Sequence, residues 1–244
     1  MKTDCNITCF PVLILLSRPA AGKSEVIHFL RNTPLPSRLE KFHVGKLIII
    51  DDFPMLWTWF EEDHLLEKMD HPRLYTDKDG YFLHRYFWDL LIERINLEYL
   101  KYQRDFNGHD HTVIIEFSRG KEHGGYRRAF SHLSDDILKK SVILYVNVSW
   151  EESLRKNRLR FNPKKPDSIL EHSLPDEKMR TLYYETDWQE LTRDNPDFLL
   201  IKQVKVPYVV FENEDDVTIC PGPELSQRLR DATQILYKLK YDVK

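Results

Sequence analysis

Eight residues, Ser17-Arg18-Pro19-Ala20-Ala21-Gly22-Lys23-Ser24, constrain this chain more than any others. They follow a short apolar run, Phe10 to Leu16, and precede a helix-like segment, Glu25 to Leu30. Strand, tight loop and helix start, in that order, are the setting in which the spacing G-x-x-x-x-G-K-[ST] makes a cradle for a triphosphate. Backbone N–H groups of such a loop point at phosphate oxygens, helped by the positive end of the helix that follows. Lys23 is expected to reach the β and γ oxygens, and the Ser24 hydroxyl to ligate Mg²⁺. The cradle as a whole spans Ser17, Arg18, Pro19, Ala20, Ala21, Gly22, Lys23, Ser24 and Glu25. Ser17 stands where the pattern has its first glycine, and serine resists a positive φ.

The 244 residues suffice for one large α/β domain, and 41% apolar with 12% aromatic residues gives it material for a core. The net charge of −3 disfavours a general nucleic-acid binder, which carries a basic excess. Three cysteines, Cys5, Cys9 and Cys220, have no metal-ligand spacing and suit a reduced, cytoplasmic protein. Cys9 to Leu16, followed by Ala20-Ala21, has some look of a signal peptide, but it is short and poorly flanked by basic residues. It reads as the first strand. No run is long enough to cross a bilayer.

Further strands are expected at 46–50 (K-L-I-I-I), 112–117 (T-V-I-I-E-F), 141–148 (S-V-I-L-Y-V-N-V) and 206–211. Helical patterns fall at 55–70, 80–104, 125–139, 151–160, 176–192 and 224–240. Strands alternating with helices predict a single α/β domain: a three-layer sandwich with a five-stranded parallel sheet and helices on both faces. Residues 53–104 form a helical insert on the substrate side, and about 155–178 a helical lid.

Phosphoryl transfer needs a carboxylate to accept the hydroxyl proton and cations to hold the moving group. Carboxylates at the C-terminal ends of parallel strands lie on the ligand-binding edge of such a sheet. Asp51 and Asp52 end the second strand and Glu116 the third. Either member of the Asp51–Asp52 pair is a candidate proton acceptor; Asp51 and Glu116 are candidates for the metal, and Asp52 for the substrate. The bland alternatives are a helix cap for either aspartate and a surface ion pair for Glu116.

Taken together, these segments resemble the P-loop kinases of the uridine kinase and nicotinamide riboside kinase type. In that group a strand leads into Asp-[Asp/Ser]-Phe, whose first aspartate is the general base; here the segment is Ile50-Asp51-Asp52-Phe53. Thr76-Asp77-Lys78-Asp79-Gly80-Tyr81 is similar to a stretch of the nicotinamide riboside branch. Ile114-Ile115-Glu116 matches a strand ending in Ile-Ile-Glu-Gly, with Phe117 in place of the glycine. A helix with several arginines, 151–160, then leads to Pro163 and Pro166-Asp167-Ser168. The resemblance implies a P-loop NTPase fold, ATP and Mg²⁺ as cofactors, and a small-molecule hydroxyl as acceptor. The stretch after Gly80 (Tyr81-Phe82-Leu83-His84-Arg85-Tyr86) lacks the Tyr-Asp pair that holds a ribose in the riboside branch.

Arg155 and Arg158, three apart, share one helix face, with Lys156 and Arg160 on another. The first pair is expected to close over the phosphates as planar donors. Of the aromatic residues between 53 and 102, most are expected in the core, while Trp57 and Tyr81, with Arg85, are candidate acceptor contacts. Arg119, after the third strand, is a candidate for acceptor-side phosphate, as are Arg127 and Arg128. Asn213, after the fifth strand, is a candidate for the adenine site.

The function predicted is transfer of the γ-phosphoryl group of ATP to a hydroxyl of a small molecule, nucleoside-like or other. Two alternatives stay open: a kinase acting on nucleic-acid ends, and a nucleotide-gated ATPase or binding module. Oligomeric state is left undetermined.

Overall fold

The computed structural model describes residues 9–106, 110–160 and 173–241. The chain runs β1 (Val12–Ser17), α1 (Lys23–Asn32), α2 (Leu35–Phe42), β2 (Lys46–Asp51), α3 (Asp52–Lys68), α4 (Tyr86–Asp105) and β3 (His111–Phe117). A 3-10 turn (Lys121–His123) leads to α5 (Gly125–His132), α6 (Asp135–Lys140), β4 (Ser141–Asn147) and α7 (Trp150–Arg160). Then come α8 (Asp176–Tyr183), α9 (Trp188–Thr192), β5 (Phe198–Ile201), β6 (Val204–Glu212) and α10 (Pro223–Tyr241).

The sheet has six strands in the order β2-β3-β1-β4-β6-β5. Five are parallel, and β5 pairs antiparallel with β6 at the edge. A purely parallel five-stranded sheet is therefore corrected to a mixed six-stranded one. Strand β5 is a four-residue edge strand whose turn, Lys202–Gln203, takes positive φ at both residues (47° and 69°). Such hairpin turns usually carry Asn or Gly, so Lys-Gln gave no turn signal.

Alternation along the central strands feeds two cores. Val12, Ile14 and Leu16 face a cluster completed by α4, α5, α6 and α9; Leu13 and Leu15 face one completed by α1, α2 and α10. Helices thus cover both faces, as strands buried on both sides require. Helix α2 escapes a periodicity reading because Pro34 caps it and Pro36 sits in its first turn, where a missing N–H costs nothing. The long patterns at 125–139 and 176–192 are each broken in two, at Leu133-Ser134 and at 184–187.

Helices α3 and α4 form the insert beside the sheet edge. The connection between them is pinned by Asp63, which is fully buried at the end of four donors: Leu74 N, Tyr75 N, Thr76 N and the Thr76 hydroxyl. Burial pushes that carboxyl up, but these hydrogen bonds outweigh it and hold the pKa below the usual aspartate value. Trp59 stacks on Tyr75 at 5.3 Å and, with Phe87 and Leu91, makes the floor of the insert. Of the lid expected over about 155–178, residues 161–172, with Pro163, Pro166, Asp167 and Ser168, lie outside the described residues.

Candidate active site

Strand β1 delivers the loop Arg18–Gly22 to the C-terminal edge of the sheet, between β3 and β4. That is the topological switch point where open α/β sheets bind ligands. Ser17 is the buried last residue of β1, and positive φ falls instead at Ala20 (57°) and Gly22 (108°). Serine at position 17 is thus under no conformational demand. Gly22 is under a double one, because a Cβ there would stand 2.5 Å from Asn213 Nδ2 and 2.6 Å from Thr218 Oγ1. Helix α1 starts at once from Gly22, with no side chain capping its first N–H groups. Gly22 to Glu25 line the cleft at the positive end of this ten-residue helix, an arrangement suited to an anion.

Lys23 is buried, and its Nζ donates to Ser17 Oγ and Ser118 Oγ, both at 2.8 Å, with Glu116 Oε1 at 3.7 Å. Burial pulls its pKa down, against the attraction of Glu116 and Asp51. Asp51 and Glu116 are register partners across β2 and β3, so neighbouring strand ends set two carboxylates side by side. Burial pushes the Asp51 carboxyl up to about 7, with the charges of Glu116 and Asp52 adding to it. Burial also raises Glu116, despite Lys23. The Asp51 side chain accepts from Phe53 N at 3.0 Å, so it caps α3 and lines the cleft at once.

Asp52 is differently placed. It forms a buried ion pair with Arg119, Nη1 to Oδ2 at 2.5 Å. Arg119 also donates to Ser118 O and Trp88 O, and its guanidinium lies over the Trp88 and Phe117 rings at 5.2 and 5.5 Å. Phe117, where the resemblance would have glycine, thus serves as a platform for this arginine. Both members of the pair line the cleft, with their charges already matched.

The cleft of about 180 Å³ is bounded by Pro19 to Glu25, Asp51, Asp52, Glu116, Arg119 and Arg160. Arg18 turns away, donating to Val148 O and Tyr184 O. Asn213 lies beneath the loop rather than beside open space: its amide donates to Ala21 O at 2.8 Å and to Thr218 Oγ1. It props the loop from below. Arg155 and Arg158 are not brought to the cleft either. Arg155 forks onto Glu152 and reaches Asp216, while Arg158 pairs with Asp176, because acids one turn back and at the start of α8 lie nearer. Arg160 is the guanidinium of α7 that lines the cleft, and its charge acts on both Lys23 and Glu116. Its i,i+4 relation to Lys156, on the other face from Arg155 and Arg158, was the available sequence signal. Arg128 is a bidentate partner of Asp89, a brace between α4 and α5.

A second cavity, of about 380 Å³, adjoins the first and holds Trp57, Tyr81 and Arg85. The two share Phe53, Leu56, Trp88, Leu174 and Tyr183. Trp59 and Phe87, by contrast, are core residues.

No family model matches the sequence, and no curated protein matches it. Solved structures similar to it include an unliganded sugar kinase from Janibacter sp. HTCC2649, at 12% identity over 93% of this chain and 96% of that one, TM-score 0.39. Another is TT1252 from Thermus thermophilus, at 14% identity over 95% and 98%, TM-score 0.44. Likenesses at these values carry no argument about this chain. Among the described residues no helix is long and apolar enough to cross a membrane.

Proposed function

We propose that this chain is a P-loop kinase that moves the γ-phosphoryl group of ATP to a hydroxyl of a small molecule. One observation carries the reading: Lys23, Asp51 and Glu116 line a single cleft with the uncapped start of α1 and the glycine that only a close-packed loop requires.

The residues present fit the groups the reading needs. Among the described residues no three His, Cys, Asp or Glu side chains could hold a metal by themselves. Magnesium, however, is commonly bound through one or two carboxylates plus substrate phosphates, and the donors here are oxygens only. Ser24, Asp51 and Glu116 would hold Mg²⁺, which when bound neutralises charge on the phosphoryl oxygens. The loop N–H groups and Lys23 would hold the phosphate chain. Lys23 is held by two hydroxyls and one carboxylate, all of which can be exchanged for phosphate oxygens.

Asp51 is the base of choice. It lines the cleft beside Glu116 and Lys23, and its burial raises the carboxylate's affinity for a proton, as a general base requires. Asp52, matched by Arg119, is left to fix that arginine in the cleft wall. Arg160 would balance charge spreading over the transferred group, a part that planar donors suit. The insert, about 53–104, then carries the acceptor.

The test is transfer of label from γ-labelled ATP, with Mg²⁺, into a pool of small hydroxylated compounds. A labelled organic phosphate that vanishes with Lys23→Ala supports the reading. Free phosphate as the sole product turns it toward an ATPase switch.

A further inference from the structure

The second cavity has about twice the volume of the phosphate cleft, 380 against 180 Å³, and falls in the range of small-molecule sites. Its walls are mostly rings and aliphatic groups, Trp57, Phe60, Tyr81, Phe82, Trp88 and Leu182, with the acidic residues Asp79 and Glu122 also on its lining. The cations that reach it are already engaged. Arg85 donates to Lys121 O at 3.1 Å, and Lys178 donates to Asp79 O and Gly80 O while lying over the Tyr81 ring at 4.7 Å. The lining it shares with the cleft, a neck of Phe53, Leu56, Trp88, Leu174 and Tyr183, offers two polar side-chain atoms, an indole N–H and a phenol hydroxyl. Beyond that neck stand Asp51 and the Asp52–Arg119 pair. A ligand with several adjacent hydroxyls would have to leave most of them unpaired in this neck, and buried unpaired hydroxyls weaken binding. A flat ring with one short arm meets no such penalty: the ring lies among rings, and the arm carries its hydroxyl through the neck toward Asp51.

We propose that this cavity takes a flat, largely apolar ring system bearing a single short hydroxyl arm, in preference to a sugar or riboside. That this ligand is the phosphoryl acceptor rests on the kinase reading above.

Calorimetric titration of the whole protein, without nucleotide, compares two bicyclic probes: 2-(indol-3-yl)ethanol, with one hydroxyl, and inosine, with a ribose. The indolyl alcohol is expected to bind saturably and inosine at least about tenfold more weakly. Trp57→Ala is expected to weaken the indolyl alcohol about tenfold. Leu174→Trp, which plugs the neck from a half-buried loop position, should weaken it as well with an unchanged melting temperature. Equal or tighter binding of inosine, no binding of either probe, or an affinity indifferent to both substitutions would overturn the proposal. Transfer from ATP is read separately. An indolyl alcohol that binds in the cavity but accepts no phosphate sustains the cavity's ligand class and counts against the kinase. Phosphorylated inosine, with no binding of the indolyl alcohol, does the reverse.

Discussion

The cleft at the end of β1 and the aromatic cavity share one neck, yet they are made from opposite materials. The cleft is built of backbone and charge at the ends of β1, β2 and β3, where strand register alone sets Asp51 beside Glu116. The cavity is built of rings on α3, α4, α8 and their connections, where no register rule places anything. On the kinase reading proposed above, the difference separates their duties. A phosphate chain needs fixed N–H groups and buried charges held in place, whereas selection among acceptors needs shape and the exclusion of unmatched polar groups. Changes to one region should therefore leave the other nearly untouched.

The largest expected break in that comparison is Lys23→Ala. Losing a buried cation aimed at the transferred group should cost about 10³-fold in transfer, while affinity for a ring alcohol stays within about twofold. Steady-state kinetics with calorimetry reads both. Asp52→Asn acts on stability instead. It leaves Arg119 buried with its charge unmatched, so chemical denaturation should register a loss of about 3–5 kcal/mol. The arginines of α7 divide next: Arg160→Ala should lower transfer by about 10–100-fold, and Arg155→Ala by no more than a few-fold.

The smallest effect is a pH slope. Asp51 is raised from the ordinary 3.8 to about 7, so between those values the folded chain keeps a proton that the unfolded chain has released. Its contribution to stability is full below pH 4 and is lost as pH rises through 7. With chelator present and no nucleotide, the melting temperature should fall between pH 5 and 7.5, and Asp51→Asn should flatten that fall. A slope unchanged by the substitution would show that other groups set it.

How much of this was legible beforehand follows the same division. The strand, loop and helix order around 17–24, the five parallel strands and the strand-end carboxylates could be read because spacing and periodicity encode them. Trp57, Tyr81 and Arg85 were recognisable as a group, and the structure brings them to one cavity. What could not be read depended on competition between partners in space. Arg155 and Arg158 are claimed by nearby acids, Asn213 by the underside of the loop, and Asp52 by Arg119. Strand β5 was hidden by an edge position and a turn lacking Gly and Asn.

The central claim is that Asp51, and not its buried neighbour, receives the proton in a phosphoryl-transfer cleft. The most direct test measures ATP affinity, melting temperature and single-turnover transfer for Asp51→Asn beside the wild-type protein. The account predicts a folded protein whose ATP affinity, measured with chelator so that no Mg²⁺ is held, is unchanged, with transfer in Mg²⁺ reduced by 10²-fold or more, on the order expected for a general base. Transfer within a few-fold of wild type, or a loss of ATP binding as large as the loss of transfer, would contradict it.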